Sequence, residues 1–252
     1  MSLRSFAAPG LLLALLLVWE LGVRGLGVSI LVLPPPSAVI VVTIQGLVGG
    51  FLWPHVAATA LSTVSGFLLG GGFGFGAGLL LAEYPALRRV LWPYLVASQV
   101  VPKLALGPIL VVWFGFGLQS TIVITALVCF FPLLENTLTG LQAPTAEQRE
   151  LFRSLRASRW QTVWRLRLPA GLPTILAGAR VAIVLALVGA VVGEFIGGRS
   201  GLGASIIAAQ GMMDTPLMFG LFVVLTGLGL LLYQAVVLVE HRLLRGRRRA
   251  GE

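Results

Sequence analysis

Six stretches of this chain, at 9–31, 56–82, 91–113, 119–141, 173–196 and 217–239, are apolar over the roughly 20 residues of helix that cross about 30 Å of hydrocarbon. Hydrocarbon offers no partner to a backbone N–H or C=O, so each stretch must satisfy its own hydrogen bonds as a helix. The composition agrees: 57% of residues are hydrophobic and 11% charged, against about 25% charged in soluble domains. The predicted fold class is all-α: a polytopic membrane protein with six transmembrane helices in a single transmembrane domain over 1–252.

Positive charge is retained on the cytoplasmic side of a membrane. With six spans, Arg4, Arg88, Arg89, the six arginines of segment 149–169 and Arg242, Arg245, Arg247, Arg248 and Arg249 share one compartment, 14 of the 18 basic residues. Arg24 and Arg199 fall opposite, while Lys103 and Arg180 lie within or at the edge of spans. Five spans would separate the termini and spoil this segregation. Both termini are therefore expected in the cytoplasm, with the chain in the inner (plasma) membrane. The net charge of +9 is then an orientation signal and an anchor to anionic lipid, and gives no reason to invoke nucleic acid. The first apolar run lacks a clear small-residue cleavage site and is read as a retained span.

Between spans one and two, PPPS at 34–37 ends a helix, and 38–48 is too short to cross, so a short surface helix is expected. Trp53, Trp92 and Trp113 fall at predicted span ends, where indoles anchor at the interface. Span two contains GFLLGGGFGFGAGLLL. With no strand before it and no Gly-Lys-Ser/Thr after it, this is not a phosphate loop. Ser62, Gly66, Gly70, Gly74 and Gly78 instead recur every four residues, leaving one helix face nearly bare for close packing. Span three is interrupted at Pro102, Gly107 and Pro108, which suits either a kinked wall of a translocation pathway or a Pro-kinked packing helix.

Groups for soluble-type catalysis are missing from the sequence. His55 and His241 lie far apart, Cys129 is single, and no metal-binding or Ser-His-Asp spacing is present. The chain is not expected to be an enzyme. Ionisable groups in or beside spans are Glu20, Lys103, Glu135, Arg180 and Glu194. Glu194 lies in GAVVGEFIGGRSGLGA with Arg199 five residues later, and is either a capped or paired carboxylate near the interface or an outer-gate residue.

The one sizeable loop, 142–171, contains RELFRSLRASRWQTVWRLRLP. Thr145 can cap a helix, with Glu147 and Gln148 in its first turn. Arg149, Arg153 and Arg156 follow at i, i+4 and i+7, beside an apolar patch of Leu151, Phe152 and Leu155. Trp160, Trp164 and Leu168 make a second apolar stripe. A topology signal needs the arginines but not the patch; two short helices with aliphatic groups ringed by arginine suit a docking knob.

The run ELFRSLRASRWQTVWRLRLPAGLPTILAGARVA resembles the signature loop of binding-protein-dependent ABC importer permeases. WFGFG at 113–117, FFPLLENTLTG at 130–140, GEF at 193–195 and RSGLGASI at 199–206 narrow the resemblance to the nitrate, sulfonate and taurine permease family. PPPS, LWPH at 52–55 and VEHRLLR at 239–245 extend it along nearly the whole chain. The resemblance implies a type I ABC importer permease fold with a cytoplasmic coupling helix, working by alternating access. It implies a permease that works as a pair (with a second copy as a homodimer, or with a different permease as a heterodimer), two cytoplasmic ATPase subunits that hold ATP and Mg, and an extracytoplasmic substrate-binding protein, with no cofactor in this chain. Glu150 matches the motif glutamate, Leu151 and Phe152 replace two alanines, Arg156 replaces glycine, and Ala157, Ser158, Pro169 and Pro173 agree. Glu150, Leu151, Phe152, Arg153, Leu155, Arg156, Ala157 and Ser158 are the implied coupling residues. Glu194, Arg199, Gly201 and Gly203 are expected at an outer gate or binding-protein contact.

Arginine is strained where glycine turns left-handed, so the turn is expected either to be an ordinary helical one or to move toward Ala157 and Ser158. The implied cargo is a nitrate-, sulfonate- or taurine-type anion, or alternatively a pyrimidine vitamin precursor or flavin. A self-contained channel or secondary carrier is the alternative from another class; the internal repeat common in such carriers is not evident.

Overall fold

A computed structural model describes residues 4–248, with side chains described from 10 to 244. The side chains of Arg4, Arg245, Arg247, Arg248 and Arg249, used above to orient the chain, lie outside the described residues. The helices are α1 (Arg4–Gly25), α2 (Pro36–Val48), α3 (Leu52–Glu83), α4 (Pro85–Val100), α5 (Gly107–Phe114), α6 (Leu118–Gly140), α7 (Ala146–Ser154), α8 (Arg159–Thr162), α9 (Leu168–Gly197), α10 (Leu202–Gly211) and α11 (Thr215–Arg248). A 3₁₀ turn (Lys103–Leu106) precedes α5 and a π turn (Val163–Arg167) joins α8 to α9. No strand occurs among the described residues.

Four helical segments among the described residues are long and apolar enough to span a membrane: α3, α6, the continuous Arg159–Gly197 and α11. A fifth is reached when α4 and Lys103–Phe114, bent by 80°, count as one broken span. The remaining expected span, 9–31, overlaps α1 over 9–25, with 26–31 in the turn beyond it; the 22 residues of α1 reach about 33 Å if straight.

The centre is α6, with α3 parallel to it on one side and α9 antiparallel on the other. The register with α3 is regular: Gly66, Gly70, Gly74 and Gly78 lie against the carbonyls of Ile122, Ala126, Phe130 and Leu134. A methyl group at Gly78 would sit 2.7 Å from the Leu134 oxygen, so only glycine permits this approach. In lipid, where apolar burial does not drive helices together, such backbone proximity supplies the dispersion and Cα–H···O contacts that do. On the other side, a Cβ at Gly189 would lie 3.0 Å from the Thr125 Cα, and one at Gly193 3.1 Å from the Thr121 Cα. The buried Thr125 hydroxyl donates to the Thr121 carbonyl at 2.7 Å, leaving no unpaired polar group there.

The expected surface helix is α2. Its N-terminus has no cap of its own, and Glu20 of α1 accepts from the Ser37 N–H at 3.0 Å and hydroxyl at 2.8 Å. Arg24 completes the cluster, 2.6 Å from the same carboxylate. Trp53 donates its indole N–H to the Leu47 carbonyl at 3.0 Å. Trp92, expected at a span end, lies two turns inside α4 against Phe131, because the helix starts at Pro85. Arg180 and Glu240 pair at 3.2 Å between α9 and α11.

Candidate functional site

The loop after α6 folds as a hairpin with both starts and its turn closed by local hydrogen bonds. Thr145 and Gln148 form a capping box at the start of α7, and Ser158 and Gln161 form another at α8. Each satisfies two of the N–H groups that a helix start leaves unpaired. The Thr145 hydroxyl also bonds Glu147, holding that carboxyl below the usual carboxylate range.

Between the helices the Arg156 N–H donates to the Arg153 carbonyl (2.9 Å) and the Ala157 N–H to the Phe152 carbonyl (3.0 Å). This is a Schellman turn, with Arg156 at φ +52°. Both sequence expectations for this turn are thereby corrected: the left-handed residue stays at 156 and arginine adopts it. The i+7 alignment of Arg156 with Arg149 and Arg153 is also lost, since α7 ends at Ser154.

Leu151 (57% exposed), Leu155 (68%) and Trp160 (63%) face outward, so the described residues do not cover this apolar patch. Glu150, Arg153 and Ser158 are exposed beside them, Ala157 half-exposed. Phe152 is half-buried and turns into an open cleft of about 510 Å³ lined also by Glu83, Arg149, Arg159 and Arg167. The tip of the knob is therefore Leu151 and Leu155, with Phe152 behind it.

Behind the hairpin sits a residue the sequence reading did not single out. Arg167 pairs with Glu83, donates from Nε to the Leu141 carbonyl at 2.9 Å and from Nη2 to the Ala82 carbonyl at 3.3 Å. One guanidinium fork thus ties the hairpin to the C-terminal ends of α3 and α6, where helix dipoles favour a cation. The π turn ends here, with the Leu168 N–H bonded to the Val163 carbonyl. Pro169 has no N–H to offer the Arg165 carbonyl, so the wider turn falls where the α-helical ladder is already interrupted.

At the opposite end of α9, Glu194 is 3% exposed. It accepts from Thr59 (3.0 Å) and Ser62 (3.3 Å) on α3 and from the Gly203 N–H (2.8 Å). Thr59 in turn accepts from the Leu202 N–H at 2.8 Å, and His55 Nδ1 from the Gly201 N–H at 3.3 Å. Side chains of α3 and α9 therefore cap α10, a helix absent from the sequence expectation. Gly201 has φ +120°, and a Cβ there would strike the Glu194 carboxylate; one at Gly203 would lie 2.7 Å from the Val191 oxygen. Arg199 is exposed and makes no ion pair among the described residues. Glu194 is thus a buried carboxylate with three hydrogen-bond donors, one of them at the start of α10.

The helix pair expected as the third span breaks at Val101–Pro102, and Pro108 falls in the first turn of α5. Just past the break Lys103 donates to the Gln99 side-chain oxygen at 2.7 Å and lies 5.9 Å from the Phe131 ring centroid. No carboxylate pairs with it among the described residues. A cation over a ring gains about 0.5–2 kcal/mol, while lysine at bilayer depth costs about 2.5–3.5 kcal/mol, so the ring alone does not offset the placement.

The described residues form a bundle of apolar helices, one pair of them bent by 80°, with an uncovered arginine-rich hairpin at one end, the architecture of a polytopic membrane protein. Residues 73–247 match the family described as binding-protein-dependent transport system inner membrane component, and the chain belongs to that family: it is a permease of an ABC importer, with ATP hydrolysis in a partner subunit. Its relatives include the riboflavin transport system permease protein RibX of Chloroflexus aurantiacus, 38% identical over 97% of this chain and 93% of that protein. The formylaminopyrimidine transport permease protein ThiX of Halalkalibacterium halodurans is 35% identical over 94% of each chain. The taurine transport system permease protein TauC of Escherichia coli is 31% identical over 93% and 87%. A chain of the MetNI methionine ABC transporter in an inward-facing conformation shares the fold, with a TM-score of 0.61 at 23% identity over 76% of this chain and 93% of that one.

Proposed function

We propose that the hairpin 145–164 is the surface on which the ATP-hydrolysing subunit docks, and that closure of two such subunits rocks the spans between inward- and outward-open states. The observation that carries this reading is the capped hairpin whose Leu151 and Leu155 stay exposed inside a ring of arginines. Apolar anchors with charged rims supply affinity and register respectively. The reading puts the hairpin and both chain termini in the cytoplasm, and it pairs this chain with a second permease copy. At the other end, α10 and Arg199 would face the binding protein.

For the cargo we favour a planar vitamin or vitamin precursor of the flavin or pyrimidine class. The relatives named for riboflavin and formylaminopyrimidine match at 38% and 35%, the one named for taurine at 31%. A sulfonate-type anion is the second reading, supported by that taurine relative and by the sulfonate permease of Bacillus subtilis at 34%.

The docking test is Leu151→Asp combined with Arg153→Glu, both at exposed positions. Capture of the ATPase subunit and cargo-stimulated ATP hydrolysis should both fall; unchanged values would refute the docking surface. Thermal shift of the cognate binding protein with riboflavin, a formylaminopyrimidine and taurine discriminates the cargo classes, since a ligand stabilises the protein that binds it.

A further inference from the structure

The chain's single lysine is explained neither by helix packing nor by the hairpin. We propose that Lys103 and Gln99, at the break in the third span, contact the transported solute inside the translocation pathway and bind an oxygen acceptor of that solute, an oxyanion or a ring carbonyl. The inference rests on the permease reading above and adds a site to it.

Three observations converge. Depth comes first: Lys103 lies against Phe131, which stands about 20 Å from one end of α6 and about 14 Å from the other at the helical rise. An ammonium in mid-span without a carboxylate faces water or a ligand. The second is the break, since a backbone bent by 80° is tolerated at membrane depth only beside protein or a water-filled cavity. The flanking α4 has no buried residue, and Tyr94, Ser98 and Gln99 are all exposed on it. Among the described residues α4 is therefore left uncovered beside a broken backbone, with these three polar side chains set among mostly apolar ones.

The third is the chemistry of the donors. The Gln99 oxygen is taken by the ammonium, which leaves two ammonium N–H groups and the Gln99 NH₂ without a partner among the described residues. An array of donors alone selects an acceptor. Trp92 and Phe131, with centroids 6.5 Å apart, line the same side of the break, with Arg88 over the first ring at 5.8 Å and Lys103 over the second at 5.9 Å.

The test uses the importer assembled with its ATPase and binding protein in proteoliposomes. In a Cys129→Ala background, Lys103→Cys should react with a membrane-impermeant methanethiosulfonate at least tenfold faster than Leu13→Cys, and cargo-loaded binding protein with ATP should slow that reaction. Uptake is read with riboflavin and with taurine. Lys103→Met should reduce uptake at least tenfold with basal ATP hydrolysis and ATPase capture unchanged. Lys103→Gln, which keeps a donor without charge, should retain a third or more of uptake for the ring carbonyl and almost none for the sulfonate. Labelling no faster than at Leu13, or Lys103→Met uptake within twofold of the parent, would overturn the site. Failure of the parent chain to capture the ATPase would instead remove the docking reading and leave the labelling result to stand on its own.

Discussion

Replacing Arg156 by glycine should tighten the loop hairpin, and replacing it by valine should loosen it. Arg156 holds φ +52°, a conformation that costs an L-residue about 1–2 kcal/mol. Glycine escapes that cost but gives back about 0.5–1 kcal/mol through its freer unfolded chain, for a net gain of about 0.5–1 kcal/mol. Valine, branched at Cβ, is worse there than arginine by about 1 kcal/mol. Both substitutions remove the charge, so the contrast of about 2 kcal/mol between them isolates backbone conformation. Hydrogen exchange on the permease in lipid nanodiscs reads it directly. The Leu155, Arg156 and Ala157 amides donate within this turn, and their exchange should slow about two- to fivefold in Arg156→Gly and quicken about fivefold in Arg156→Val, taking RT as about 0.6 kcal/mol. Equal rates in the two variants would refute the left-handed turn at this position.

Three further contrasts follow from the geometry. Gly74→Ala should lower the melting temperature in detergent, by about 1–3 kcal/mol of overpacking against the Phe130 carbonyl, whereas Gly72→Ala, which meets nothing within 4 Å, should raise it slightly through helix propensity. Arg167→Met should cost about 2–3 kcal/mol by stripping three acceptors of a charged donor, and Arg167→Lys should recover only part, since an ammonium cannot reproduce the fork; thermal melts of the purified permease measure both. Thr59→Val and Glu194→Leu should each cost about 1–3 kcal/mol by leaving buried donors of α10 and α3 unpaired, while Arg199→Gln should shift stability by no more than about 0.5 kcal/mol.

The parts of this protein that were legible in the sequence are those written as a period or a local cap. The four-residue glycine spacing identified the packed face of α3, and Thr145 marked the start of α7, because each signal is contained in a few consecutive residues. The break in the third span was legible from Pro102 and Pro108 for the same reason. What escaped depends on residues distant in the chain. Arg167 looked like one more arginine in a basic run, and only the convergence of Ala82, Glu83 and Leu141 gives it its role. Glu194 was legible as a capped or paired carboxylate or a gate residue, but not which groups would meet it, since its partners Thr59 and Ser62 are more than 130 positions away. Helix α10 escaped because its capping side chains come from α3 and α9, leaving no local start signal.

The π turn at Val163–Arg167 has a consequence for how the two ends of the subunit are phased. It winds one residue more than an α-helical turn would, within a single helix that runs unbroken from Arg159 to Gly197. Each residue added or removed rotates one side of such a rod about 100° against the other. The surplus residue therefore sets the compass bearing of Trp160 relative to Glu194 about 50 Å along the axis at the helical rise: a one-residue deletion would leave both surfaces chemically intact and aim them at partners on different sides of the bundle.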